Sequence, residues 1–330
     1  MGMILTGRHL RAAALVALAG LAAGCTATAR NSARPVAIQP VKAIGIAATA
    51  AASVLRLHPE QGGPAVRALS RKPGNPTLTW LGHSTFLIRT AGRVVITDPN
   101  VSARVGIKFP LKPVRISPPP SGWDRLKRLD AVVISHIDHD HFDLPTLRAL
   151  AARFPDAALF MPAGTQRMGA RAGFTTIRTV QVWQTEALGP LRLTALPARH
   201  YGRRDVVGFN RSTAVGWEIT GAGRKVFFSG DTGWSNHFAE IRKRRGRYPV
   251  ALVPIGAYAP ENLFADVHIN PEDALKAASV LGARVAIAHH WGTYNLGAEK
   301  PAEARARFLA ARASGVTPRV LDIGETISLK

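Results

Sequence analysis

The chain has 330 residues, 46% of them hydrophobic, with ordinary glycine and proline content and a mean hydropathy of +0.03. That is enough apolar material for one large domain or two small ones, and it argues against disorder and against a multi-span membrane protein. Lys and Arg number 43 against 21 Asp and Glu, a formal net charge of +22, which favours anionic partners: phospholipid surfaces, phosphorylated substrates or nucleic acid. The basic residues run as Arg242 to Arg245 with Arg247, as a spread from Arg104 to Arg128, and as Arg199, Arg203, Arg204 and Arg211. No helix-turn-helix, RNA-binding aromatic motif or paired-cysteine finger accompanies them. Nucleic acid is therefore not the expected partner, and a merely solvated Arg-rich surface is an open alternative to any specific one.

At the N-terminus, Arg8 and Arg11 precede an apolar stretch from Ala12 to Leu21, followed by Ala22-Ala23-Gly24-Cys25. A basic start, a short apolar core and small residues before a cut make a secretory signal, too short to span a bilayer comfortably. With the chain's only cysteine directly after it, the segment resembles a bacterial lipoprotein leader, residues 1–24 being removed and Cys25 acylated. Leu21 stands one place early for that pattern, and a plain signal cut near Ala27 is the alternative. Thr26 is not the Asp that would retain a lipoprotein in the inner membrane. The expectation is a protein of the bacterial cell envelope, lipid-anchored at the periplasmic face of the outer membrane. Removal of 1–24 takes away Arg8 and Arg11 and no acid, lowering the formal charge from +22 to +20. Residues 25–75 read as a tether and embellishment: a small, polar, Pro-punctuated linker over 26–42, an Ala-rich helix over 44–57, and a surface His58.

The folded domain is expected over 76–330. Thr77 to Ile88 alternates and turns at Gly82, a strand pair; Arg93 to Thr97 is another strand, ending in Asp98. Further strands are predicted at 131–134, 158–161, 180–182, 191–195, 212–219, 225–229, 250–254 and 285–288, with helices at 144–153, 236–244, 271–281 and 302–313. Asp143 reads as the cap of the first helix, with Pro145 in its first turn. Strand meanders with interspersed helices fit an α/β sandwich rather than a doubly wound parallel sheet.

His136-Ile137-Asp138-His139-Asp140-His141 places three imidazoles and two carboxylates in six residues after the apolar strand 131–134. Neutral imidazoles and ionised carboxylates are ligands that borderline cations such as Zn²⁺ accept, and a loop at a strand end lets them converge without breaking a ladder. His200, Asp231, His290 and His268 each follow a predicted strand or open a predicted helix. One such histidine is usually structural; three of them and Asp231, together with the cluster, predict a metal site.

The set resembles the metallo-β-lactamase superfamily, and within it the branch of N-acylphosphatidylethanolamine-hydrolysing phospholipase D and its bacterial relatives. The residues that carry the resemblance are Thr79 to Thr85, Asp98-Pro99, Pro118 to Pro120, Ser135 to Asp143, Pro197 to His200, Ser229 to Gly233, Pro254 to Tyr258, His268 to Ala274 and His290 to Thr293, in the family's order over residues 76–329. The resemblance implies a four-layer αβ/βα sandwich with two divalent metals at one edge of its sheets. His136, residue 138 and His200 would hold one; Asp140, His141 and His290 the other; Asp231 would bridge. The family pattern is His-x-His-x-Asp-His, and position 138 is Asp. Asp138 leaves three outcomes open: a dinuclear site with a harder ligand set that could take Mn²⁺ or Fe in place of Zn²⁺, a mononuclear site, or an impaired one, with His139 a conceivable substitute ligand.

Two bridged cations lower the pKa of a shared water towards 7 and polarise a phosphoryl or carbonyl oxygen, so the implied activity is hydrolysis by a metal-activated hydroxide. Asp140, Asp231 and His268 are the candidate catalytic residues, the last either facing the substrate or capping the helix from Pro271. His83 and Asp98 would support ligands from behind, His289 would pack beside the site, and His237 would lie on the surface. A phospholipid phosphodiester fits the branch, the tether and the charge together, with Tyr258, Trp291 and Tyr294 either lining an acyl approach or buried as core. A lactonase or other small-molecule hydrolase is the alternative activity, and a non-catalytic metal-binding periplasmic lipoprotein the second alternative.

Overall fold

A computed structural model describes residues 64–69, 75–106, 113–204 and 212–329. The leader, Cys25, the helix expected over 44–57, His58 and Arg211 lie outside the described residues. Thr77–Trp80 (β1) and Phe86–Thr90 (β2) form the expected antiparallel pair, turning through Gly82 and His83 at φ +99° and +48°. Arg93–Thr97 (β3) continues antiparallel to β2, and Ala131–Val133 (β4), Ala158–Pro162 (β5) and Ile177–Val180 (β6) add parallel strands beyond it. Thr326–Ser328 (β14) closes the other edge against β1, giving the order β14-β1-β2-β3-β4-β5-β6.

The second sheet repeats the plan. Thr185–Leu188 (β7), Leu191–Gly202 (β8), Ser212–Gly221 (β9) and Arg224–Phe228 (β10) form an antiparallel meander; Val250–Pro254 (β11), Val285–His289 (β12) and Thr317–Arg319 (β13) extend it in parallel. Inner faces meet in one core, where Leu78, Trp80, Phe86 and Ile88 oppose Leu193, Val215, Trp217 and Phe228. Full burial of a large apolar side chain stabilises by about 1.5–3 kcal/mol, so this layer holds the sheets together.

Helices cover both outer faces. On the first sheet, Leu144–Arg153 (α1) buries Leu147, Leu150 and Ala151 against Leu87, Ile96 and Val132, beside the short Gln166–Arg171 (α2). Asp143 caps α1 by accepting from Thr146 N at 3.2 Å, with Pro145 in the first turn as expected. On the second sheet lie His237–Arg245 (α3), Glu261–Phe264 (α4), Pro271–Val280 (α5) and Pro301–Ala310 (α6), with Ala274, Ala277, Ala278 and Phe308 in the core. This is the expected four-layer α/β/β/α arrangement.

Three readings need correction. The strand predicted at 180–182 lies three residues earlier, as Ile177–Val180, because the chain turns at Trp183 (φ +74°) into β7, an exposed edge strand the pattern did not show. The strand predicted to stop at residue 195 runs on to Gly202 through a register shift between Pro197 and Tyr201. His237 is buried, not on the surface: its ring lies between the hydroxyls of Ser235 (2.5 Å) and Thr232 (3.3 Å).

Candidate metal centre

The parallel strands deliver their C-terminal ends to one edge. Ile134 N still donates to Phe160 O (2.8 Å) before the chain leaves β4 at Ser135, and His141 N and Phe142 N both donate to Asp138 O (3.1 and 2.7 Å), folding the 136–141 segment into a tight loop. The irregularity in β8 holds His200, and a bulge is a device that re-aims a strand side chain. Asp231 follows β10 through Gly230 at φ +58°, where a Cβ would stand 2.5 Å from the Ser135 Cβ; glycine is what lets the two strand ends approach. His290 follows β12, and Gly256 presses on it so closely that a Cβ there would lie 2.0 Å from the His290 carbonyl oxygen.

Seven predicted side chains come together. Asp138 Oδ2 lies 3.7 Å from His136 Nε2 and 3.7 Å from His200 Nε2. Asp140 Oδ2 lies 3.5 Å from His141 Nε2 and 3.4 Å from His290 Nε2. Between the two groups, Asp231 Oδ2 lies 3.9 Å from His136, 3.1 Å from His141 and 3.0 Å from His290.

Partners behind three of the four imidazoles fix which nitrogen faces inward. Asp98, fully buried, accepts His141 Nδ1–H at 2.7 Å and the Ser135 hydroxyl at 2.5 Å. That hydroxyl, its proton committed, accepts from His136 Nδ1 at 2.9 Å. Val267 O accepts His200 Nδ1–H at 3.1 Å. Nε2 of His136, His141 and His200 therefore points into the cluster, as does Nε2 of His290, and none of these atoms has a hydrogen-bond partner; nor has Asp231 Oδ1. Buried polar atoms are normally paired, so convergent unpaired donors fit a cation.

The electrostatics agree. Burial raises the carboxyls of Asp140 and Asp231, but the adjacent imidazoles, His141 first, outweigh it and hold both well below the usual carboxylate range. Burial lowers His141 and His290, yet the carboxylates outweigh it, raising His141 well above the usual value and His290 to about 9. Positive charge is wanted at this point, and a metal supplies it in place of those protons. Burial, helped by neighbouring imidazoles, pushes His136 well down.

His83 and Asp98 stand where expected, behind the cluster: His83 Nε2 donates to Asp140 Oδ2 at 3.0 Å. Nδ1 of His268 is buried without a partner, 3.9 Å from Asp231 Oδ2, and the cap of α5 is Asn270, so the capping alternative for His268 fails. His139 turns away to the Arg204 carbonyl (3.1 Å) and does not replace Asp138. His289 bridges Ser84 and Ser229 at 3.1 and 3.0 Å beside the cluster. Tyr258, Trp291 and Tyr294 are buried, Trp291 stacked on Trp80 and Tyr294 donating to the Asn100 side chain at 2.9 Å, so they form core rather than an acyl groove. Arg204 binds the Ile137 and Phe142 carbonyls and Arg199 pairs with Asp266, which commits part of the basic field to holding this edge together. Sequence reasoning gave no role to Ser135, to Asn100, which donates to Asp140 O at 2.8 Å, or to the Arg203 amide, which donates to Asp138 Oδ1. Adjacency to His136 and Asp98 was the one signal for the first two.

The family model for the Beta-lactamase superfamily domain matches residues 93–291, more than half of the chain and all seven cluster residues. The chain belongs to the metallo-β-lactamase superfamily. It is 33% identical over 230 residues to N-acyl-phosphatidylethanolamine-hydrolyzing phospholipase D 1 of Caenorhabditis elegans, a match covering 66% of this chain and 64% of the nematode protein. It is 28% identical over 267 residues to a metal-dependent hydrolase of Aeropyrum pernix, covering 76% of this chain and 96% of that one. Among solved structures, a possible metal-dependent hydrolase from Veillonella parvula superposes with a TM-score of 0.62 at 19% identity, over 76% of this chain and 98% of the other. The match spans less than two thirds of the nematode enzyme.

Proposed function

We propose that this protein is a metal-dependent hydrolase, a phosphodiesterase of the phospholipase D type acting on N-acylphosphatidylethanolamine-like phospholipids. The observation that carries the reading is the cluster of unpartnered buried donors in a chain 33% identical to a phospholipase of that class. In this reading His136, Asp138 and His200 hold one divalent metal, Asp140, His141 and His290 a second, and Asp231 stands between them. When bound, such ions lower the pKa of a shared water and polarise the phosphoryl oxygen. Asp231 and Asp140, both ionised, orient the attacking water and take its proton. His83 keeps Asp140 turned inward. His268, held neutral by burial at about 3, presents its free Nδ1 towards the substrate phosphate. The water oxygen bonds to phosphorus as the bond to the N-acylethanolamine oxygen breaks, and that oxygen takes up the proton removed from the water, so that N-acylethanolamine and phosphatidate are released.

The leader supports a lipid anchor at Cys25 on the periplasmic face of the outer membrane, which would place the site against its substrate and give residues 25–75 the role of a tether. Palmitate labelling that persists in Cys25→Ser would overturn the anchor. For the activity, the full chain in detergent is assayed on N-acylphosphatidylethanolamine vesicles, on a soluble phosphodiester and on lactones. Release of N-acylethanolamine, absent in His141→Ala, is the expected result. Turnover of lactones alone would replace this reading with the small-molecule alternative.

A further inference from the structure

The two halves of the cluster have the same composition. In each, one terminal carboxylate stands nearly equidistant from two imidazole Nε2 atoms: Asp138 at 3.7 and 3.7 Å from His136 and His200, Asp140 at 3.5 and 3.4 Å from His141 and His290. In each, the terminal carboxylate is steadied by one donor from outside, the Arg203 amide for Asp138 and the His83 ring for Asp140. Asp231 lies within reach of both, its Oδ2 nearer the second half (3.1 and 3.0 Å from His141 and His290, against 3.9 Å from His136) and its Oδ1 buried without a partner.

We propose that Asp138 makes this a dinuclear centre of two near-equivalent sites, each of two imidazoles and a terminal carboxylate with Asp231 shared, built for two copies of one hard divalent ion such as Mn²⁺ or Fe²⁺. The inference rests on the metal site of the proposed function but not on its substrate. Carboxylate-rich sets narrow the advantage of Zn²⁺, whose preference is for imidazole and thiolate, over the harder ions. Three carboxylates and four imidazoles also leave the pair of divalent ions close to neutralised, which lowers the cost of holding both in a buried site. A third imidazole at position 138 would make the halves unlike, one of three imidazoles and one of two imidazoles with a carboxylate, and would draw the first half towards Zn²⁺.

The full metal-free chain is titrated with Mn²⁺ alone and then equilibrated with Mn²⁺ and Zn²⁺ together, bound metal being read by elemental analysis and Mn²⁺ by its spin-resonance spectrum. The wild type should take up two Mn²⁺ per chain in a single phase, with a spectrum broadened by coupling between paired ions. Asp138→His should titrate in two phases, with one of its sites shifted about tenfold or more towards Zn²⁺ in the mixture. Asp138→Asn, which keeps the shape and removes the charge, should lose one Mn²⁺ per chain and the coupled signal, and it stands in should the His variant fail to fold. One Mn²⁺ per wild-type chain, two well-separated phases in the wild type, or an unchanged Zn²⁺ to Mn²⁺ ratio in Asp138→His would each overturn the proposal. None of these readouts involves a phospholipid, so failure of the substrate reading leaves this test standing.

Discussion

Glu218 on β9 and Asp231 just after β10 are both buried carboxylates of the second sheet, and both are held below the usual carboxylate range against the effect of burial. They reach that state by opposite means. Glu218 accepts from Arg245 at 2.6 Å, from the Tyr248 hydroxyl at 2.6 Å and from Thr220 at 3.1 Å, with the Lys225 ammonium 3.2 Å away. Both its oxygens are satisfied within the protein. Asp231 faces imidazoles whose own inward nitrogens lack partners, and one of its oxygens has none. A satisfied buried charge network stabilises a fold, whereas a convergent unsatisfied one costs stability and persists because something binds there. Burial and pKa direction alone do not separate the two; the ledger of partners does.

The contrast predicts opposite phenotypes. Asp231→Asn should lose both bound metal and hydrolysis, the latter by about 10³-fold or more, since metal-borne charge stabilisation contributes several kcal/mol. The metal-free variant should melt within a few degrees of the metal-free wild type. A variant that keeps its metal and loses only thermal stability would put Asp231 in the class of Glu218. Asp98→Ala comes next. Removing the partner behind His141 should weaken metal binding by roughly 10- to 100-fold, measured by competition with a chelating dye.

Glu218→Gln should do the reverse, with metal content and activity per folded molecule unchanged. It strands Arg245 and Lys225, whose side chains are 34% and 20% exposed, so the roughly 3–5 kcal/mol of a broken buried pair falls to about 2 kcal/mol after solvent screening. Its pH dependence has a definite sign. The folded pKa is depressed, so the contribution is present above the unfolded value of about 4.3 and is lost as the pH falls through the folded value. Denaturant unfolding should show wild type and variant separated at pH 7 and converging in acid. A separation that grows towards acid would break the assignment.

Legibility in the sequence divided along the same line. Segments that bury one face read correctly, α1 and β11 to the residue, because apolar periodicity and the Asp143 cap are local signals. The cluster read as a cluster because six adjacent residues carry most of its chemistry. What failed to read was non-local. The run of β8 through Pro197 to His200 and Gly202 looks like a loop in isolation, and only its pairing with β9 makes it strand. The three-residue edges β13 and β14 lack a pattern long enough to detect. His237 read as surface because the two hydroxyls flanking it cannot be inferred from its helix. Asp98, Ser135 and His141 are close in space but 37 to 43 positions separate Asp98 from the other two; support from Asp98 was expected, whereas its relay through the Ser135 hydroxyl to His136 was not legible.

Asp143 gives the smallest effect and the finest test of the contrast. It sits two residues beyond His141, close enough in sequence to pass for part of the cluster, yet its Oδ2 is engaged by the protein's own donors: it accepts from Ser102 Oγ at 2.6 Å, from Thr146 N at 3.2 Å and from the Thr146 hydroxyl. By its partners it belongs with Glu218. Asp143→Ala should therefore cost about 1 kcal/mol, the ordinary value of a helix cap, and leave metal stoichiometry at the wild-type level. Asp143→Asn, which still caps, should recover most of that loss. A drop in bound metal in both variants would show that proximity to His141, rather than the state of its own oxygens, decides what a carboxylate at this edge does.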